Sequence, residues 1–315
     1  MTLVISTLTS SGIVLTADSR QTYKNSVGAI RIGSDSAIKL FKLTDFAGVA
    51  ISGRAFINED GQPLKNVGYF INKFKKTEKL EGITVKEIAE KLNKYLSDIF
   101  VKREIDALKK QIEELINKAG GKDLKFSTSD NNLVPYSYID KNGKSVSDAG
   151  SIETINMIVA GVDNDEIGRA YAVVLPQGIT NNADTQQCGA LWVGQTDVLT
   201  RIIKGYAPEA GNLDFVKKAL TQDKPATINE LNKMEYVINW GTITLQDAID
   251  FCVLMTRTTE NIQRFSDGTF LSPGGITGVG GEVDIAIITP EKGFAWLKKK
   301  KLNYEEAELP IEQES

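Results

Sequence analysis

Four residues near the start of the chain have groups that could take part in nucleophilic catalysis. Thr2 stands at the head of an apolar, strand-like run. If Met1 is removed, Thr2 carries a free α-amine beside its own hydroxyl, so a nucleophile and a base share one residue. The sequence has no histidine, which excludes Ser-His-Asp and Cys-His catalysis and removes the commonest zinc ligand. An α-amine with an unperturbed pKa of about 7.7–8.0 is a suitable base near neutral pH.

Asp18, Lys39 and Gly53 are the other three. Asp18 follows the second apolar run, Lys39 lies in the third, and Gly53 ends the fourth. A positive charge on Lys39 near Thr2 would oppose protonation of the α-amine, and Asp18 would keep that lysine charged and oriented. Gly53 has no Cβ, so a carbonyl oxygen could approach its N–H closely. Each residue also has a simpler interpretation: a strand threonine behind a retained Met1, an exposed lysine, and glycine or aspartate in strand-end turns.

These residues resemble a β-type subunit of the proteasome family, within the N-terminal nucleophile hydrolases. Thr2 matches the nucleophile of that family, and Asp18-Ser19-Arg20 match its Asp-Ser-Arg triplet. Lys39 matches the catalytic lysine after an insertion of a few residues around Val27 to Ser36, and Gly53 matches the glycine whose amide forms the oxyanion hole. Later blocks at 158–163 and 280–289 resemble the central strand and the last strand pair of the family.

The resemblance implies further site residues. By matching position, Gln21, Ile51 and Ala55 would line the substrate pocket, with Ser19 and Arg20 in support. The family serine that follows the central glycine turn falls near Thr196, which is a loose substitute. No metal or organic cofactor is implied, and the substrate would be a peptide or another amide.

The sequence departs from the family pattern shortly before Gly280-Gly281. Where the family has an aspartate and a serine near the amine of the nucleophile, this chain has Ile276 and Val279. Neither side chain can make those hydrogen bonds. The sequence therefore allows two interpretations of the protein: a proteasome-like threonine hydrolase, or a catalytically inactive proteasome-like subunit that builds a ring or shell.

The order of the elements predicts an α+β fold. Residues 1–56 have the pattern of four strands, 57–63 of a polar loop, 67–74 of a helix and 134–138 of a strand. Further strands are indicated at 155–162 and 170–175, helical pieces at 213–220 and up to 237, and a helix that Thr244 to Asp247 would cap through about Arg264. Strands, helices, strands, helices and strands thus follow one another without strict β-α alternation, which disfavours a doubly wound parallel sheet. Thr84 to Glu87 form a capping box that predicts a helix up to about Lys118, ended by Gly120-Gly121. Two stacked sheets with helices outside fit this order, and the resemblance implies the four-layer αββα sandwich of N-terminal nucleophile hydrolases.

We expect one such domain over residues 1–300, with insertions at about 100–152 and 205–243 and a charged C-terminal tail over 301–315. The long helix has an apolar seam in its second half, and covering it could involve the insertions or a neighbouring subunit. We favour a neighbour and predict a homo-oligomer of ring or helical symmetry. The seam consists of Val101, Ile105, Leu108, Ile112 and Leu115.

The composition limits which classes of binding partner and which cellular compartment we expect. The 315 residues carry a net charge of −4, which gives no sign of a nucleic-acid or anionic-membrane partner. The two cysteines, Cys188 and Cys252, are far apart and form no metal or redox motif. Together with the absence of a signal-peptide pattern and of long apolar stretches, they predict a cytoplasmic protein.

Overall fold

The computed structural model describes residues 2–25, 28–57, 64–129, 131–269, 272–273 and 277–300. Within these ranges the protein is a mixed α+β structure, as the sequence predicts. The strands are β1 (Leu3–Thr9), β2 (Gly12–Ala17), β3 (Gln21–Lys24), β4 (Ile30–Ser34), β5 (Leu40–Lys42), β6 (Ala47–Gly53), β7 (Phe56–Ile57), β8 (Lys65–Asn66), β9 (Lys122–Phe126), β10 (Leu133–Ile139), β11 (Ser145–Ser151), β12 (Ile155–Val162), β13 (Gly168–Val174), β14 (Gly178–Asp184), β15 (Gly189–Gly194), β16 (Gly268–Thr269), β17 (Ser272–Pro273), β18 (Asp284–Thr289) and β19 (Gly293–Lys298). The α-helices are α1 (Val67–Thr77), α2 (Val85–Lys118), α3 (Asp197–Lys204), α4 (Asp214–Gln222), α5 (Lys224–Asn232) and α6 (Leu245–Phe265).

Two antiparallel five-stranded sheets contain the strands that matter for the site. One has the order β15-β1-β2-β18-β19 and the other β14-β13-β12-β6-β5. Every residue of β1 and β2 is buried, so both faces of this hairpin are covered. The turn between them needs glycine, because Gly12 has φ +143° and a Cβ there would lie 2.7 Å from the Ile288 carbonyl oxygen.

Three buried apolar clusters show how the sheets and helices pack. The first joins residues of both sheets, among them Val4, Leu15 and Ile158. The second joins α1 and α2 to the sheet that contains β6 and β12, and the third joins α3 and α6 to the sheet that contains β1 and β2. The strands near the site are therefore held from both sides by apolar burial.

The helix starts follow the sequence signals. Thr84 caps α2 through the predicted box with Glu87, and α2 runs to Lys118 as expected. A second box between Thr244 and Asp247 opens α6. The helix predicted near 67–74 is α1, which is capped by Asn66.

Several strands were not predicted. Four strands were expected in residues 1–56, but the hairpin of β3 and β4 and the short β7 lie there as well. This hairpin occupies part of the region around Val27 to Ser36 where the sequence indicated an insertion. Strand β14 was also missed. The polar loop expected at 57–63 falls almost entirely outside the described residues, as does the 301–315 tail.

The preference for a neighbouring subunit over part of the helical seam is wrong. Strands β9, β10 and β11 form a three-stranded sheet within the first expected insertion. This sheet packs on the C-terminal half of α2, where a Cβ at Gly150 would lie 2.9 Å from Cδ1 of Ile112 and 3.2 Å from Cδ2 of Leu108. Ile112 is 6% exposed, whereas Leu115 is 67% exposed. The chain itself therefore covers Leu108 and Ile112.

The region of the second expected insertion contains α4 and α5, close to the helical pieces predicted there, and two short 3-10 helices at Pro208–Asn212 and Trp240–Thr242. In the described part of the chain, no helix is long and apolar enough to cross a membrane.

The packing of α2 predicts different costs for two substitutions on the same helix. Ile112→Ala should lower the free energy of unfolding by about 2–4 kcal/mol, because it leaves a cavity under the three-stranded sheet. Leu115→Ala, three residues later and largely exposed, should change it by less than about 0.5 kcal/mol. Urea denaturation of both variants measures the difference. Equal, small effects would show that the sheet does not cover Ile112.

Candidate active site

Thr2 lies at the start of β1 and is 3% exposed. Its carbonyl oxygen accepts a hydrogen bond of 2.7 Å from the backbone N–H of Gln195, directly after β15. Gly194 stands opposite Leu3 in the sheet, and a Cβ at Gly194 would lie 2.0 Å from the Thr2 carbonyl oxygen. The absence of a side chain at Gly194 therefore lets the backbone approach Thr2 this closely.

Lys39 contacts the hydroxyl of Thr2 directly. Its Nζ donates to Thr2 Oγ1 at 2.6 Å and lies 3.4 Å from both carboxylate oxygens of Asp18. It also donates to the carbonyl oxygen of Arg20. Lys39 is 7% exposed, and its own carbonyl is held by the N–H of Ile51 at 2.9 Å. The exposed-lysine interpretation is therefore wrong, and proton transfer between Lys39 and Thr2 is within reach.

Asp18 is fully buried and accepts from three separate backbone segments. Oδ1 accepts from the N–H of Leu3 at 3.0 Å, and Oδ2 accepts from the N–H groups of Arg20 and Gly280, each at 3.0 Å. These donors and Lys39 favour the ionised carboxyl, which offers only acceptors. Asp18 thus fixes the strand that begins at Thr2 and the lysine that contacts it.

Burial acts on the acidity of both partners. It raises the pKa of Asp18 above its ordinary value, while Lys39 and the three amides act in the opposite direction. Burial lowers the pKa of Lys39 below its ordinary 10.5, and the attraction of Asp18 opposes this. Lys39 can therefore lose its proton more easily than a lysine in water.

A cavity of about 70 Å³ adjoins this cluster. It brings together three of the four predicted catalytic residues, Thr2, Lys39 and Gly53, while Asp18 lies outside its wall. All three predicted substrate residues line it as well: Gln21, Ile51 and Ala55. A larger cavity of about 610 Å³, beside Trp192 and Trp240, contains none of the predicted residues.

Position 53 requires glycine because of its backbone conformation and its contact with Thr154, neither of which the sequence revealed. Its φ is +86°, and a Cβ would lie 2.3 Å from the carbonyl oxygen of Thr154. The neighbouring N–H of Arg54 donates to that same oxygen at 3.0 Å. The backbone of Thr154 thus fixes the conformation of the chain at the cavity wall.

Ser19 and Arg20 build the frame around Asp18. Ser19 is fully buried, and its hydroxyl donates to the carbonyl oxygen of Glu282. Arg20 forms a two-point ion pair with Asp35, at 2.7 and 3.0 Å, which lowers the pKa of Asp35. A Cβ at Gly280 would lie 2.4 Å from the Arg20 guanidinium carbon, so this arginine packs directly on a glycine. Both residues are therefore structural supports of the Asp18 site.

Gln263 binds the backbone before Gly280-Gly281, where the sequence departs from the family pattern. Val279 is fully buried and packs in the apolar cluster of α6, and Ile276 lies outside the described residues. Gln263 of α6 accepts from the N–H groups of Gly278 and Val279 at 2.9 and 3.0 Å, and it donates to the side chain of Gln195 at 2.9 Å. Sequence reasoning missed Gln263, since one glutamine in an amphipathic helix has no distinguishing pattern.

Thr196 directly precedes α3, but its side chain does not cap that helix. Its N–H donates to the carbonyl of Gly194 at 3.0 Å, so it belongs to the turn next to Thr2. Among the described residues, no group of three or more cysteines, aspartates and glutamates could hold a metal ion.

Comparison with family models gave no match, and comparison with curated proteins gave none either. Among solved structures, Anbu (ancestral beta-subunit) from Yersinia bercovieri matches with a TM-score of 0.45 and 12% identity, over 94% of this chain and 87% of that chain. An Anbu (Gly-1) mutant from Hyphomicrobium sp. strain MC1 matches with a TM-score of 0.46 and 12% identity, over 95% of this chain and 86% of that chain.

Two glycines of β15 test how tightly Thr2 is packed. Gly194→Ala and Gly189→Ala both place a side chain at positive φ, +96° and +148°. Only the Cβ at Gly194 meets the Thr2 carbonyl, while nothing lies within 4 Å of a Cβ at Gly189. We expect Gly194→Ala to cost at least about 2 kcal/mol more than Gly189→Ala in urea unfolding. Equal costs would mean that backbone strain alone matters and that Thr2 has room to move.

Proposed function

We propose that this protein is a proteasome-like threonine hydrolase that cleaves peptide or other amide bonds through Thr2. The observation that carries the proposal is the 2.6 Å contact between Lys39 Nζ and Thr2 Oγ1 at the wall of the cavity. The proposal requires removal of Met1, which exposes the α-amine of Thr2. It also assigns the chain the four-layer αββα fold, which the three apolar clusters support.

The reaction proceeds through an acyl-enzyme. Thr2 Oγ attacks the carbonyl carbon of the substrate, and its proton passes to the Thr2 α-amine, directly or through a water. The N–H of Gly53 stabilises the oxyanion. When the tetrahedral intermediate collapses, the C–N bond breaks and the leaving amine takes the proton from the ammonium of Thr2. Water then attacks the Thr2 ester and gives a proton to the Thr2 α-amine. The ester C–O bond breaks, Thr2 Oγ takes that proton, and the acid is released.

Lys39 is the charge that tunes this cycle. Its ammonium donates to Oγ of Thr2, so it stabilises negative charge that develops there during attack. The same charge opposes protonation of the α-amine and keeps it a free base. Asp18 orients Lys39 and, through the N–H of Leu3, holds the strand that carries Thr2.

The cavity suits a small, uncharged substrate group. Its volume is about 70 Å³, and Ile51, Ala55 and Val67 contribute apolar walls. We therefore propose that the residue before the cleaved bond is alanine-sized to valine-sized. We also propose a homo-oligomer of ring or helical symmetry, with the first insertion folded mainly on its own helix.

A catalytically inactive subunit of a ring or shell is the second candidate. The buried, apolar Val279 favours it, because the hydroxyl that the family places there is missing. In this alternative Met1 stays in place, and the buried Asp18–Lys39 pair is a structural element only.

Substitution of Thr2 tests the function. Thr2→Ala should abolish hydrolysis of a fluorogenic peptide with alanine before the cleaved bond, since the nucleophile is gone. Thr2→Ser should keep part of the activity because it retains a hydroxyl. Circular dichroism of each variant controls for folding, and intact-mass spectrometry of the wild type should show a chain that begins at Thr2.

Undiminished activity in Thr2→Ala would exclude this mechanism. Complete retention of Met1 in an inactive wild type would favour the shell subunit.

Lys39→Ala keeps the nucleophile but should lower the rate of hydrolysis about 10²–10⁴-fold, because the charge that keeps the α-amine a free base and the group that orients Thr2 Oγ are both lost.

The two amines predict a bell-shaped pH–rate profile. Activity should rise as the Thr2 α-amine loses its proton, which an unperturbed α-amine does at about pH 7.7–8.0. It should fall again as Lys39 loses its proton, and since burial lowers the pKa of Lys39, the fall should come below pH 10.5. Measuring kcat/KM from pH 5 to 11 tests this. A profile that keeps rising to pH 11 would contradict a role for charged Lys39.

A further inference from the structure

A second buried lysine–aspartate pair lies beside the first. Lys300, just beyond β19, and Asp284, the first residue of β18, form an ion pair in which the two side chains are 6% and 2% exposed. The backbone N–H of Lys300 also donates to Asp284 at 2.9 Å. Asp284 stands opposite Ala17 in the sheet, one residue before Asp18, so the two buried pairs occupy neighbouring strands.

Lys300 reaches the segment that carries Lys39. Its Nζ donates to the carbonyl oxygen of Ala37 at 3.1 Å, and the N–H of Ala37 donates to the carbonyl of Ser19 at 3.0 Å. Ala37 lines the cavity and lies two residues before Lys39. The segment is therefore held on one side by the Asp18 frame and on the other by Lys300.

Lys300 also acts on Lys39 by its charge. The charged groups around Lys39 are the carboxylates of Asp18 and Asp35, which favour its protonated form, and the ammonium of Lys300, which disfavours it. Arg20 contributes its carbonyl to Lys39, while its guanidinium is paired with Asp35. Lys300 is thus a fixed cation that offsets part of the attraction from the two aspartates.

Stability alone gives a weak reason for such a pair. Removing two charges from water costs free energy that their mutual attraction often fails to repay, and well-packed apolar residues would serve the fold at least as well. A cation at this position has a use that an apolar side chain lacks, because it bonds the Ala37 carbonyl and acts electrostatically on Lys39.

We propose that Lys300, oriented by Asp284, is a positioning residue for Lys39: its hydrogen bond to the Ala37 carbonyl fixes the Ala37–Lys39 segment against the cavity and places an ammonium group close to Lys39. The proposal rests on the proposed function for its effect on catalysis, whereas its effect on Lys39 can be measured without any activity. It links the end of the last strand to the nucleophile.

The test replaces Lys300 and observes Lys39. In protein labelled with ¹³C at lysine Cε, an NMR titration gives the pKa of Lys39, whose signal is identified by its loss in Lys39→Arg. Lys300→Met should raise the pKa of Lys39, because a nearby cation is removed and Asp284 is left unpaired. It should also lower kcat for the alanine peptide at least about tenfold with KM changed less than about twofold, since orientation rather than binding is lost.

Three further variants make the result specific. Lys300→Arg keeps the cation and should restore both the pKa of Lys39 and most of kcat. Lys298→Met removes a cation only two residues away in sequence, but this lysine forms an exposed pair with Glu282. It should change neither the pKa of Lys39 nor kcat. If Lys300→Met fails to fold, Lys300→Met/Asp284→Asn leaves no buried charge unpaired. The same two changes are expected in it, with a smaller rise in the pKa of Lys39 because the unpaired carboxylate is absent.

An unchanged pKa of Lys39 in a folded Lys300→Met or double variant would overturn the proposal. A changed pKa with no loss of kcat would overturn its catalytic part. If Thr2→Ala proves fully active while Lys300→Met still raises the pKa of Lys39, then the proposed function fails and the structural link between Lys300 and Lys39 stands.

Discussion

The carboxylate of Asp18 is the interaction on which the rest of the site depends. It takes hydrogen bonds from the N–H groups of Leu3, Arg20 and Gly280 and lies 3.4 Å from the ammonium of Lys39. These groups come from the first strand, the end of the second, the loop before β18 and the segment before β5. A buried carboxylate with fewer donors would be costly, so each of these segments is held where it satisfies the charge. The position of Thr2 follows, since it is bonded to Leu3.

The absence of histidine explains the kind of charge that surrounds Thr2. Without imidazole, the group whose ordinary pKa lies nearest to neutral pH is the α-amine that Thr2 would carry, at about 7.7–8.0. Burial lowers the pKa of Lys39 below its ordinary value, and Asp18 limits the effect. Where the family pattern has a hydroxyl, Val279 is apolar, and the adjacent backbone is held instead by the side-chain amide of Gln263. In the proposed mechanism this amide fixes geometry only, and proton transfer falls to the amines.

Local signals predicted much of this structure. The capping boxes at Thr84 and Thr244 mark helix starts through contacts three residues apart, and the apolar runs of β1 and β2 mark a hairpin. The family resemblance predicted that Gln21, Ile51 and Ala55 line one pocket. In the structure all three line the cavity that also contains the proposed nucleophile. Of the three strands that cover the α2 seam, β10 was predicted, as a strand-like piece over 134–138. Strands β9 and β11 escaped prediction; β11, with the sequence SVSDAGS, has small and polar residues and little apolar alternation.

Contacts between distant parts of the chain were beyond the sequence. Gln263 meets Gln195 across 68 positions, and Lys300 meets Ala37 across 263. Such pairs leave no periodic trace, because neither partner has to differ from an ordinary surface residue until the fold brings them together. Sequence reasoning therefore pointed to the proposed catalytic groups more readily than to the groups that hold them in place.

The donors to Asp18 also determine which positions the site constrains. Three of its four partners are backbone N–H groups, and a backbone donor is available from any residue except proline. The carboxylate therefore does not specify the side chains at positions 3, 20 and 280. Position 280 is constrained instead by packing, because Arg20 lies over Gly280, and Arg20 is in turn fixed by Asp35. The identity of Gly280 thus depends on an ion pair at the edge of the site rather than on Thr2 or Lys39.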